Sequence, residues 1–127
     1  MIVRHVDDLK ETEQFVSTDK FTSTRLIVKA DGMGYSVHHT VVQEGTEIPC
    51  HYKDHFETNY CLAGEGELLD VETGAVHPIR VGTMYALDKH DEHVLRATKG
   101  ALHLVCVFNP ALAGSERHNS EGGYDPS

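Results

Sequence analysis

Basic residues are scarce in this chain: 11 Lys and Arg stand against 20 Asp and Glu, giving a formal net charge of −9. Binding a phosphate backbone needs clustered Lys and Arg, so the balance argues against nucleic acid as a partner. Long apolar runs are also missing, and with them any candidate membrane span. The opening MIVRHVDDLKETE turns acidic almost at once and has no apolar run of signal-peptide length, from which we expect a soluble, cytoplasmic protein. Cysteine is sparse. Cys50, Cys61 and Cys106 are odd in number and contain no CxxC pair, so a disulfide framework is not expected and reduced thiols are. Length leaves no room for a second core: 127 residues fit one domain, and 39% hydrophobic residues suffice to bury it.

What is abundant is histidine, ten in all. The segment from Asp7 to about Val16 reads as a short helix capped by Asp7 or Asp8, with a weak apolar stripe. Beyond it the pattern is that of strands. Turn signals recur at Asp31-Gly32, Glu44-Gly45, Gly64-Glu65-Gly66, Thr73-Gly74, Gly82-Thr83, Lys89-His90-Asp91 and Lys99-Gly100. Between them lie β-branched or aromatic runs such as TRLIVKA, YSVHHTVVQ and ALHLVCVF. Many short, evenly spaced strands predict an all-β sandwich or closed barrel. The chain is too short to place a helix after every strand, which excludes a parallel α/β sheet. From Asn109 the Pro-, Gly- and Ser-rich stretch has no period and reads as a tail or lid. We therefore expect an N-terminal segment over about 1–22, a barrel over 23–108 and an irregular tail over 109–127.

Two glycine-framed spacings carry chemistry. One runs from Gly45 through His51, Lys53 and Glu57 to Gly64; the other runs from Gly74 through Arg80 and Gly82 to Tyr85. They resemble the two motifs of the cupin superfamily, a small jelly-roll barrel that holds a metal with histidines and a glutamate. The glycine frame matches. Two histidine positions do not, being Lys53 and Tyr85, and Arg80 stands for the proline. A different ligand set follows if Asp88–Asp91 is a tight reversal, because Tyr85 and His93 then face each other on adjacent strands. Glu57, in register with the cupin glutamate, should point into the same cavity. Glu57, Tyr85 and His93 are thus expected to form a three-ligand metal site, hard to borderline in character and with positions left open. His90, within the reversal, reads as a surface or turn residue.

Longer strings are more specific. MIVR, STRL at 23–26, HYKDHFETNYCLAGEGE at 51–67, ALDKHDEHVLRA at 86–97 and HLVCVFNPALAGSERH at 103–118, with the GGYDPS terminus, resemble the ectoine synthase family in order and over nearly the whole chain. The resemblance implies closure of N4-acetyl-L-2,4-diaminobutanoate into a cyclic amidine with loss of water. It implies a divalent metal on Glu57, Tyr85 and His93, with Fe2+ favoured over Zn2+ or Mn2+. Arg25 is then expected to pair with the substrate carboxylate, whose shape its planar fork matches. Thr40 would hydrogen-bond the substrate, His38 would line the pocket, and Phe21 and Phe108 would wall it. Glu116 and His118 would be carried over the barrel mouth by the tail. Tyr52, His55, Glu116 and His118 are candidates for proton transfer, with base and acid unassigned among them.

Phe21 stands where family members commonly carry Trp, which would leave the wall aromatic but remove an indole N–H. Two other readings belong to different classes: a non-catalytic small-molecule-binding cupin, and a cupin oxygenase or isomerase. The lost histidines at Lys53 and Tyr85 weigh against the latter. A homodimer is expected, from the family analogy and from the need to cover sheet edges.

Overall fold

Runs rich in Val, Thr, Ile and aromatic residues form the strands, and they pair antiparallel throughout. The computed structural model describes residues 1–126 and is a single all-β domain. Its strands are β1 (Phe15–Ser17), β2 (Phe21–Ile27), β3 (Ser36–Val42), β4 (Glu47–Cys50), β5 (Phe56–Asp70), β6 (Val76–Ile79), β7 (Met84–Ala86) and β8 (His93–Asn109). They lie in the order β1-β2-β3-β8-β5-β6, with β4 on the first part of β8 and β7 on the first part of β5. The sheet thus begins at Phe15, inside the segment expected to precede the barrel. Ser127, last residue of the GGYDPS terminus, lies outside the described residues. Among the described residues no helix is long and apolar enough to cross a membrane.

Three expectations are corrected. Gly64-Glu65-Gly66 and Lys99-Gly100 do not separate strands; both lie inside the long strands β5 and β8, where their pairing shifts register. On β5 the inward positions are Glu57, Asn59 and Cys61, then switch parity to Gly66 and Leu68. On β8 they pass from His93, Leu95 and Ala97 to Leu102, Leu104, Cys106 and Phe108. Both switches fall at one bulged corner. Gly64 has φ +83, and a Cβ there would collide with the Ala101 carbonyl, as one at Gly66 would with that of Arg96. Glycine marks a close backbone approach here, not a chain reversal.

The Asp7–Val16 helix is a single 3-10 turn over Val6–Leu9, capped by His5 and not by either aspartate. Nδ1 of His5 accepts from the Asp7 N–H, and the Asp8 carboxylate accepts from the His5 N–H. Only Leu9 of that turn is buried, too little apolar surface to hold a longer helix. Finally, Tyr85 and His93 are not a cross-strand pair. Tyr85 lies opposite Asn59, whereas His93 lies opposite Cys50 and Asp70.

The core centres on Val42, Cys61, Leu102 and Leu104, and all three cysteines are buried and free. The tail is irregular, as expected, but firmly packed: Leu112 is fully buried and Tyr124 nearly so. Gly122 and Gly123 lie so close to β4 and the following loop that a Cβ would strike the carbonyls of Pro49 and His51.

Candidate active site

Alternation along the strands aims a small set of polar side chains into an otherwise apolar interior. β5 supplies Glu57 and Asn59, β7 supplies Tyr85, and β8 supplies His93 and Phe108. β3 adds His38 and Thr40, and β2 adds Phe21. Tyr52, from the loop after β4, and His118 and Tyr124, from the tail, complete the lining. The cavity measures ≈ 30 Å³.

Glu57 is 5% exposed, and no ion pair reaches it among the described residues. Burial pushes its carboxyl up to about 7. The neighbouring Asn59 offsets part of that rise, although neither end of its buried amide closes a hydrogen bond. Burial, and next the adjacent Glu57, push the Tyr85 phenol well up. The ring of His93 lies 6.5 Å from that of Tyr85. Its Nδ1 is 2.8 Å from the Asp91 carbonyl and donates to it, which leaves Nε2 as the lone pair. Burial lowers the His93 pKa, so the ring is neutral.

These donors fit a divalent metal. Burial disfavours the ionised forms of both the carboxyl and the phenol, a bias that a nearby dication would reverse. Two oxygens and one imidazole nitrogen suit Fe2+, Mn2+ or Zn2+. Among the described residues no group of three His, Cys, Asp or Glu side chains is placed to hold a metal, so a centre here depends on the phenolate of Tyr85 as third donor.

Across the cavity, the Tyr52 hydroxyl lies 2.8 Å from Nε2 of His118. Burial raises the phenol pKa, while burial and then the Arg25 charge bring His118 down to about 4. At neutral pH the phenol therefore donates and the neutral imidazole accepts. Tyr124 stacks on Tyr52 at 5.4 Å and 20°, and meets Phe108 edge-on at 5.5 Å.

A family model described as ectoine synthase matches residues 1–127. The chain belongs to the ectoine synthase family. It is 52% identical to the L-ectoine synthase of Desulfatibacillum aliphaticivorans over 98% of this chain and 96% of that protein. The crystal structure of ectoine synthase from P. lautus has a TM-score of 0.87 to it at 45% identity, covering 96% of this chain and 87% of that one. A cupin 2 conserved barrel domain protein from Salinispora arenicola shares the fold alone, with TM-score 0.68, 19% identity, and 85% and 87% of the two chains covered.

Of the residues singled out from the sequence of this ectoine synthase family member, the structure brings nine to one cavity: Phe21, His38, Thr40, Tyr52, Glu57, Tyr85, His93, Phe108 and His118. Three others stand behind its wall. Arg25 is fully buried and donates to Ser23 Oγ, the Gly114 carbonyl and the Tyr124 hydroxyl, so it fastens the tail and does not line the cavity. His55 is 1% exposed, edge-on to Phe108 and Tyr124, with neither ring nitrogen hydrogen-bonded. The Glu116 carboxylate accepts from the N–H groups of Ala113 and Gly114, both at 2.7 Å, and so caps a turn of the tail. Sequence reasoning misses Tyr124 and Asn59. An aromatic residue directly after Gly122-Gly123 is the available signal for the first, since paired glycines permit the close approach that seats it.

Proposed function

We propose that this chain is a lyase of ectoine biosynthesis that closes N4-acetyl-L-2,4-diaminobutanoate into L-ectoine with loss of water. The match of the ectoine synthase family over the whole chain carries this reading. In the reaction the 2-amino nitrogen attacks the acetamide carbonyl carbon, a C–N bond forms, and the carbonyl oxygen leaves as water. Both protons of that water come from the attacking amine.

The groups in the cavity answer those needs. Glu57, Tyr85 and His93 would hold the divalent metal, Fe2+ in the first place with Zn2+ or Mn2+ as alternatives. Such an ion, when bound, polarises the amide carbonyl as a Lewis acid. Tyr52 and His118 move the protons: as the phenol oxygen takes a proton from the amine, its own passes to Nε2 of the neutral imidazole, and the same relay run in reverse delivers a proton to the departing oxygen. Phe21, Phe108 and Tyr124 exclude water, while His38 and Thr40 offer hydrogen bonds that keep the chain folded for attack. Arg25 and Glu116 act from behind by fixing the tail. We further infer a cytoplasmic homodimer that uses a small-molecule substrate and neither nucleic acid nor membrane. The open edges at β1 and β6 support the dimer, and a monomeric mass in solution at micromolar concentration contradicts it.

The test is an anaerobic assay with the acetylated diamino acid and Fe2+, the product being followed by NMR. Product is expected, and is expected to vanish with a chelator and in Glu57→Ala. A folded, iron-loaded protein that forms no product rules the reading out.

A further inference from the structure

His90 looks like a surface or turn residue by sequence, and the structure gives it more to do. It has φ +54, in the left-handed region, and is the non-glycine residue with positive φ among the described residues. Side chains with a Cβ adopt that conformation at a cost, and such outliers persist only where the surroundings fix them. What fixes this one is plain from its contacts. Its ring stacks on Phe56 at 4.5 Å and 27°. Nδ1 lies 2.9 Å from the carbonyl oxygen of Tyr52 and 3.1 Å from that of His55. Both neighbours are acceptors only, so Nδ1 carries the proton and is shared between them.

Those two carbonyls bracket the irregular loop between β4 and β5. The loop carries Tyr52 into the cavity, and its hydroxyl must meet His118 at 2.8 Å. The buried His55 ring makes no hydrogen bond and holds the loop only by edge-on packing against Phe108 and Tyr124, and the His51 N–H donates to the Gly122 carbonyl at 3.0 Å at the start of the loop, away from the Tyr52 and His55 carbonyls. The Lys53–Glu121 ion pair is exposed and weak. We infer that His90 is a positioning residue for proton transfer: its Nδ1–H pins the Tyr52 and His55 carbonyls and so aims the Tyr52 hydroxyl at His118. The inference rests on the proposed cyclisation. It adds to that reading a residue 38 positions from Tyr52 that touches neither the cavity nor the metal ligands.

Three variants separate the hydrogen bond from the backbone strain. His90→Asn tolerates the left-handed conformation and keeps an N–H donor near the place of Nδ1. His90→Gly relaxes the backbone and removes the donor. His90→Asp is isosteric with the first but presents an acceptor to two carbonyls. The wild-type protein is assayed first, and absence of product there refutes the cyclisation reading, not this one. Given activity, kcat of H90G is expected to fall about ten- to a hundredfold, the range a misplaced group costs, with KM changed less than about threefold. H90N should recover most of the loss, and amide exchange at residues 51–56 should quicken in H90G but not in H90N. An H90G enzyme within about twofold of wild-type kcat overturns the inference, as does an H90N no better than H90G. If H90G does not fold, the comparison passes to H90N against H90D, where equal kcat values overturn it in the same way.

Discussion

Arg25 and Tyr124, 99 residues apart, meet in the interior, where a guanidinium N–H donates to the phenol oxygen at 3.2 Å. Arg25 is fully buried and also donates to the Ser23 hydroxyl and the Gly114 carbonyl, both neutral acceptors like this oxygen. A buried charge that loses an acceptor is costly. Tyr124→Phe should therefore destabilise the protein by about 1–3 kcal/mol while leaving the ring in place over Tyr52. Chemical denaturation measures it, and a change under about 0.5 kcal/mol would show that the tail is held by packing alone.

Tyr52 and His118 are proposed to act as one proton-transfer unit, which makes a non-additive prediction. Tyr52→Phe and His118→Gln should each lower kcat by about a hundredfold or more, as expected for a general acid–base group. The double variant should be little worse than either single one. Two losses that multiply would mean the groups work independently, and the shared hydrogen bond would then be incidental.

Stability should carry the signature of His118. Its folded pKa is lowered to about 4, against 6.5 for the free side chain. Between those values the unfolded chain binds a proton that the folded chain refuses, so the contribution is complete above about pH 6.5 and lost as pH falls toward 4. At full burial a shift of this size corresponds to roughly 3 kcal/mol, an upper bound for a partly exposed ring. The stability of wild type relative to His118→Gln should fall by up to that amount over this window. A pH-independent difference between the two proteins would contradict the buried, neutral imidazole.

The sequence was legible where period and spacing carry the information. Alternation predicted the strands, and the glycine frame, together with the longer family strings, predicted that Glu57, Tyr85 and His93 share an interior. The route for the last two was wrong even so: they meet because different strands curve into one barrel, not because a hairpin sets them opposite. Glycine was ambiguous by nature. At Gly32 and Gly45 it marks an open turn, and at Gly64 and Gly66 a tight crossing within strands, which composition cannot tell apart. The tail misled for a related reason. Its Pro-, Gly- and Ser-rich composition read as an irregular tail or lid and gave no sign that Leu112, Tyr124 and the hydrogen bonds from Arg25 would anchor it.

The bulged corner offers the sharpest structural test, because a glycine there and one elsewhere are constrained in opposite ways, one by space and the other by φ. Gly45 has φ +82 but open space where a side-chain methyl group would sit, with nothing within 4 Å. Gly45→Ala should cost only the left-handed penalty, about 1–2 kcal/mol. Gly66 has no such φ, yet its Cβ would strike the Arg96 carbonyl, and that oxygen belongs to the paired strand β8 and cannot swing aside. Gly66→Ala must therefore push β5 and β8 apart, at about 3 kcal/mol, the upper end of the overpacking range. The corner also sets the parity by which Glu57 and Asn59 on one side, and Leu68 on the other, point inward. Denaturation midpoints should thus rank wild type above G45A above G66A, and G66A alone should retain less iron after gel filtration. A G66A protein as stable as G45A would mean that the two strands have slack at the corner, and that something other than this crossing fixes the register of the site.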